Sequence, residues 1–306
     1  MGRIRDDALQ VHIPEVTGSN PAGYVPPCGE QMTIEVVLLG TGNPLPDRDR
    51  AGAATLVRAG GRTMLFDAGR AVCMRLAAAG VLPVMLDAVF LTHLHSDHIC
   101  DLNDVVTTQW VMSPVPKTLH VFGPPRTSEV MDGLRAMLVP DVEYRLAHHA
   151  DLTWGPTVEV IEVSPGVVFD DDCLRVIAAR TDHRPVELTL GYRVEFDGKA
   201  VVLAGDTVPC AGLDDLCRGA DVYVQTVLRD DLVRMVPMPR FVDTIDYHST
   251  VEQAAQTAAR GGVGTLMLTH QIPTPGPGTA DEWVAMARQH FAGDIIFGAD
   301  LASISI

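Results

Sequence analysis

A short apolar run that stops in a cluster of metal-ligating side chains constrains this chain more than any other feature. Ala88-Val-Phe-Leu-Thr-His-Leu-His-Ser-Asp-His-Ile-Cys100 opens with uncharged, strand-favouring residues, the pattern of a strand buried on both faces. His93, Leu94, His95, Ser96, Asp97 and His98 follow on what reads as a loop at the strand's C-terminal end. In an extended segment His93 and His95 point the same way and can grip one ion, while Leu94 turns back into the core. Asp97 and His98 come after the chain has turned and face a different point, which predicts two adjacent metals. Three of the chain's 11 histidines fall in this one stretch. A solvated loop has no need of them, and an apolar core could not bury them unpaired.

Other strands end the same way. Runs over 33–39, 54–57, 63–66, 119–122, 174–179, 188–196, 199–203 and 265–268 read as strands, with hairpins across Gly60-Gly61 and Asp197-Gly198. Helices are predicted over 70–79, 101–110, 127–138, 213–217, 251–260 and 281–289, the fifth capped by Ser249 or Thr250. Strand ends thereby bring His93, His183, Asp206 and His270 towards one edge of a layered α/β sheet, where such folds place their sites. Residues 140–172 resist placement. Their His148-His149 pair and the acidic run from Asp170 read as solvated surface.

With 306 residues and 47% hydrophobic content, the chain can bury a sizeable core. Pro14, Pro21, Pro26 and Pro27 mark residues 1–31 as an extended arm, and 32–306 is expected to form one domain. No run approaches the roughly 20 apolar residues of a membrane span, and none near the start reads as a signal peptide. A cytoplasmic protein without membrane partners is expected. The six cysteines form no CxxC pair and read as reduced thiols. The balance of 23 basic and 39 acidic residues, a net charge of −16, opposes nucleic acid phosphates unless a local patch outweighs it.

The His93-x-His95-x-Asp97-His98 motif, with His183, Gly205-Asp206-Thr207 and Leu268-Thr-His270, resembles the metallo-β-lactamase fold and, within it, the ribonuclease Z and arylsulfatase-like branch. Leu39-Gly-Thr-Gly42, Leu65-Phe-Asp-Ala-Gly69, Gly191-Tyr-Arg193 and Tyr247-His-Ser-Thr250 extend the likeness across roughly 33–272. The resemblance implies an α/β fold, an αββα four-layer sandwich of two mixed sheets between helices. It also implies a first metal on His93, His95 and His183, a second on Asp97, His98 and His270, and Asp206 bridging them. Zinc suits this nitrogen-rich set, with manganese or iron as alternatives. Such a pair would activate a bridging hydroxide, which Asp97 could orient, while His248 would stabilise charge or protonate the leaving group and Asp67 would fix a ligand. The branch's habits point to a homodimer.

Three departures from ribonuclease Z shape the functional expectation. Val224-Gln-Thr-Val-Leu228 stands where that family has His-Glu-Ala-Thr, so Thr226 replaces the Glu that supports the catalytic histidine. The residues after His270 lack the family's serine and arginine. No basic, glycine-rich arm lies between Asp101 and His183. The expected function is therefore a dinuclear metal-dependent hydrolase of a small-molecule phosphodiester, sulfate ester, carboxyl ester or lactone, with nucleic acid disfavoured as a partner. The alternative is a tRNA 3′-end processing endoribonuclease. Trp110, Trp154, Met235, Met238 and Phe241 are candidate walls of an apolar pocket.

Overall fold

The computed structural model describes residues 33–306 apart from Asp172, so the arm expected over 1–31 lies outside the described residues. Two mixed seven-stranded sheets lie between helices. The first holds β1 (Glu35–Gly40), β2 (Ala54–Ala59), β3 (Arg62–Phe66), β4 (Ala88–Phe90), β5 (Thr118–Gly123) and β6 (Thr157–Glu162) in sequence order. The second runs from β7 (Gly166–Asp170) through β8 (Leu174–Thr181), β9 (Thr189–Phe196), β10 (Lys199–Leu203), β11 (Val222–Leu228) and β12 (Thr265–Ile272) to β13 (Asp294–Phe297). A last strand, β14 (Ser303–Ser305), returns to pair antiparallel with β1. Each sheet has an antiparallel half and a parallel half, the parallel contacts being β3–β4–β5–β6 and β10–β11–β12–β13.

Side-chain alternation explains the layering. Val36 and Leu38 of β1 point between the sheets, where they join Phe66, Phe90 and Phe122 and, from the second sheet, Val176, Tyr192 and Val224. Their neighbours Val37 and Leu39 face the other way. There they pack with residues of α1 (Val72–Ala78), α3 (Leu102–Met112) and α4 (Thr127–His148). The second sheet repeats the arrangement: Tyr223, Leu266 and Leu268 lie against α5 (Ala211–Cys217), α8 (Val251–Gly261) and α9 (Ala280–Arg288). Strands buried on both faces need apolar residues at every position, so these read as continuous runs. At roughly 1.5–3 kcal/mol for each fully buried large apolar side chain, three such layers can carry a buried polar cluster that would be unfavourable alone.

Several local expectations change. The segment after β4 is not all loop, because Ser96–Ile99 forms a short helix, α2. Asp97 and His98 ride its first turn, and Leu94 packs against the core as expected. α4 continues past the predicted 138 to His148, through Pro140. Proline costs such a helix a hydrogen bond, but Pro140 and Ala136, whose carbonyl loses its donor, are both exposed. His148 and His149 are exposed as expected, whereas Asp171 is tied to Arg62 at 2.9 Å. Cys173 is disulfide-bonded, so the expectation of reduced thiols holds for Cys73, Cys100, Cys210 and Cys217 and fails for Cys173. No helix of the described residues is long and apolar enough to cross a membrane.

Candidate metal centre

Two loops, one from each sheet, close on each other to build the site. The turn after β10 carries Asp206, and the segment after β4 carries His93 and His95. Gly205 has φ +65°, and a Cβ there would come within 2.7 Å of the Thr92 Cβ. Only glycine lets the two loops meet this closely. His183 follows the end of β8, and His248 precedes Thr250, which caps α8 through the Gln253 N–H. His270 does not follow its strand, as the sequence suggested, but lies inside β12, where the register with β11 shifts. Its φ of 45° and the 59° of Asp67 are left-handed conformations. Non-glycine residues held this way cost about 1–3 kcal/mol each and cluster at functional sites.

The predicted ligands converge. Ligand atoms of His93, His95, His183 and Asp206 lie within 4.8 Å of one another, and those of Asp97, His98 and His270 form a second such group. Asp206 Oδ2 stands between the groups, 3.8 Å from His93 Nε2, 4.0 Å from His183 Nε2, 3.3 Å from His98 Nε2 and 3.7 Å from His270 Nε2. Asp97 Oδ2 accepts from His270 Nε2 at 3.0 Å. All of these side chains are buried except that of His95.

Outer contacts turn the lone pairs inward. Thr92 donates its hydroxyl to Asp67 Oδ2 (2.9 Å) and so can accept from His93 Nδ1 (3.0 Å), leaving His93 Nε2 free to ligate. Asp67 also accepts from His98 Nδ1 (2.7 Å), and the Tyr247 carbonyl accepts from His183 Nδ1 (2.7 Å). Thr226, which stands where a glutamate was expected, donates to Asp206 Oδ1 at 2.7 Å. His248 is instead anchored by the Thr244 carbonyl at 2.9 Å, with Nε2 3.3 Å from Asp206 Oδ2. Sequence reading found Asp67 but missed Thr92 and the two carbonyls. Thr92 is signalled only by its place before His93, and carbonyls leave no signal at all.

The electrostatics divide the imidazoles. Burial holds His93 well below its ordinary value, with His98 pushing the same way, and burial also lowers His95 and brings His183 to about 4. For His98 burial acts downwards too, but Asp206 and Asp67 overcome it and raise the ring well above its ordinary value. Burial also lowers His270, but Asp206 and the Asp97 hydrogen bond outweigh it and raise the ring above its ordinary value. Burial would raise Asp206, yet the His270 and His98 rings hold it well below the usual carboxylate range, and Asp97 falls to about 2 for similar reasons. A metal pair fits this donor set: His98 Nε2 and His270 Nδ1 are buried without a hydrogen-bond partner among the described residues, an arrangement costing about 1–3 kcal/mol per orphaned group. His98 Nε2 approaches Asp206 at 3.3 Å without hydrogen-bond geometry, leaving it aimed at the space a cation would occupy.

The centre opens into a cleft of about 500 Å³ whose floor includes His95, Asp97, Asp206 and His248. Met238 and Phe241 line it as expected, together with Leu45, Arg240 and Tyr247. Trp110 does not, being a buried residue that donates to the Trp154 carbonyl.

Two mixed sheets enclosed by helices, with a histidine and aspartate cluster at their shared edge, define a metallo-β-lactamase-fold hydrolase. The Beta-lactamase superfamily domain model matches residues 62–271. Ribonuclease Z of Mycolicibacterium paratuberculosis is 52% identical over 275 residues, spanning 89% of this chain and 98% of that protein. Ribonuclease Z of Mycolicibacterium gilvum is 53% identical over 275 residues, spanning 89% and 96%. Among solved structures, human tRNase Z, short form, aligns with a TM-score of 0.64 at 25% identity over 88% of this chain and 98% of that one. The metallo-beta-lactamase fold protein YhfI from Bacillus subtilis shares the fold with a TM-score of 0.70 at 22% identity, over 90% and 100%. The chain belongs to the beta-lactamase superfamily and, within it, to the ribonuclease Z family, and it is a metal-dependent hydrolase.

This overturns the expectation of a small-molecule substrate with nucleic acid disfavoured, since the proteins that share half of its residues are named as ribonucleases. The charge argument failed because net charge sums the whole surface while a substrate meets one cleft. The motif departures misled as well, because His248 is anchored by the Thr244 carbonyl without a glutamate, while Thr226 donates to Asp206.

Proposed function

We propose that this protein is a tRNA 3′-end processing endoribonuclease acting in the cytoplasm. The identity of about half its residues with proteins named Ribonuclease Z, over nearly their full length, carries the reading. His93, His95 and His183 would hold one divalent ion, Asp97, His98 and His270 the other, and Asp206 both. Zinc is the ion the imidazole-rich set favours. When bound, the pair supplies Lewis acidity at the scissile phosphate and acidifies the attacking water. Asp97, which lines the cleft, orients that water. His248 is anchored at Nδ1 by the Thr244 carbonyl and turns Nε2 towards the centre, 3.3 Å from Asp206 Oδ2. It can pass its Nε2 proton to the leaving 3′ oxygen. Asp67 and Thr92 keep His98 and His93 in the required tautomers.

Zinc- or manganese-loaded protein should cut a precursor tRNA carrying a 3′ trailer at one defined junction, and chelation should abolish cutting reversibly. Turnover of a chromogenic phosphodiester with the precursor left intact under the same conditions would remove this reading.

A further inference from the structure

The crossover between β11 and α8 carries three arginines with different fates. Arg229 is bound to Asp231 at 2.7 Å and to Glu282 at 3.4 Å, and Arg234 to Asp230 at 3.4 Å. Arg240, on the short helix α7 (Pro239–Val242), makes no ion pair or side-chain hydrogen bond among the described residues. Asp243 and Asp246 lie on the same segment, yet neither is paired with it. In a chain with 39 acidic against 23 basic residues, an exposed cation that lines a cleft without a paired carboxylate among the described residues is conspicuous. The same cleft holds Asp97, Asp206 and His248.

What surrounds Arg240 also points to a ligand. Met238 is 41% exposed and Leu45, on the loop after β1, is 60% exposed, so the mouth presents apolar side chains to water beside the free guanidinium. Phe241 anchors the segment by packing against Leu228, Val233 and Ile272. A planar fork of N–H donors matches a phosphate's oxygens, and apolar walls suit the faces of unstacked bases. We propose that Arg240 binds the backbone phosphate next to the scissile one, with Met238 and Leu45 flanking the adjoining bases. This rests on the cleft being the RNA-cleaving site.

The test uses the metal-loaded full chain and two readouts, cleavage kinetics on precursor tRNA and equilibrium binding of a precursor made uncleavable at the junction, each across a salt series. Arg240→Ala should raise KM roughly tenfold with kcat nearly kept, the effect of losing one charged hydrogen-bonded contact. The slope of log affinity against log salt should become shallower by about 0.7–0.9, the share of one phosphate. Arg240→Lys should restore the slope, and Arg234→Ala, whose arginine is already paired with Asp230, should match the native protein. An unchanged slope in Arg240→Ala, or equal losses in Arg234→Ala, would overturn the assignment. Binding separates it from the functional reading: a native protein that binds the precursor with the Arg240-dependent slope but never cuts it loses the nuclease role and keeps the phosphate contact. A native protein that neither binds nor cuts loses both.

Discussion

Of the two ligand groups, His93, His95 and His183 form the more nearly neutral one, whereas Asp97, His98 and His270 form a web of charge-assisted contacts. Burial keeps the first three rings from taking up protons, so their lone pairs stand ready. In the second group burial acts against protonation, but the carboxylates of Asp206, Asp67 and Asp97 outweigh it and favour protons on His98 and His270. The outer support differs as well. His93, His98 and His183 each have an anchored Nδ1, while His270 Nδ1 has no partner among the described residues. One fold edge thus contains a half prepared for a cation and a half that must exchange protons for it.

Asp206 is where that contrast can be broken most severely, because its Oδ2 approaches rings of both groups. Asp206→Ala should cut turnover by at least about a thousandfold and deprive both groups of their ions. Metal analysis of the purified variant, alongside precursor cleavage, reads both effects. If one equivalent of metal stays bound at native affinity, Asp206 belongs to a single group and the halves are independent.

How much of this was legible follows from where the information lies. The candidate ligands were readable because they are side chains of diagnostic type clustered in one motif or close to the ends of apolar runs, even though His270 falls inside β12 and Asp97 and His98 on α2, and the sandwich because β1 and β12 are apolar at successive positions. The second half of α4 was not, since Pro140 reads as a helix stop unless one knows that its stretch faces water. The anchors of His183 and His248 were invisible for a deeper reason: they are the main-chain carbonyls of Tyr247 and Thr244, and any residue there would supply them. Thr226 was legible as a substitution, but its consequence was not, because the contact it makes is to Asp206 rather than to the histidine.

Asp67→Asn sharpens the comparison at intermediate cost. Asparagine tolerates the left-handed backbone found at Asp67 and can still accept from His98 Nδ1, so the change removes charge more than shape. Affinity for the second ion should fall about 10–100-fold. The first ion, which feels Asp67 only through Thr92 and His93, should weaken less. Stepwise titration with zinc resolves the two, and equal losses in both steps would merge the groups.

The subtlest effect is protonic. His98 and His270 hold protons more tightly than free imidazoles, His98 well above its ordinary value, so an ion entering the second group competes with protons for them. Lowering the pH therefore weakens the second step, by about tenfold per unit for each proton displaced, and raising it strengthens binding until the raised values are passed. The first group responds differently across this range. His183 titrates near 4 and His93 and His95 are lowered too, so its affinity should be flat around neutrality and fall only in acid, as those rings take up protons. Calorimetric titrations at pH 7 in buffers of different ionisation heat report proton release step by step. Release confined to the second ion is expected, and release with the first ion alone would reverse the assignment of the neutral and charged halves.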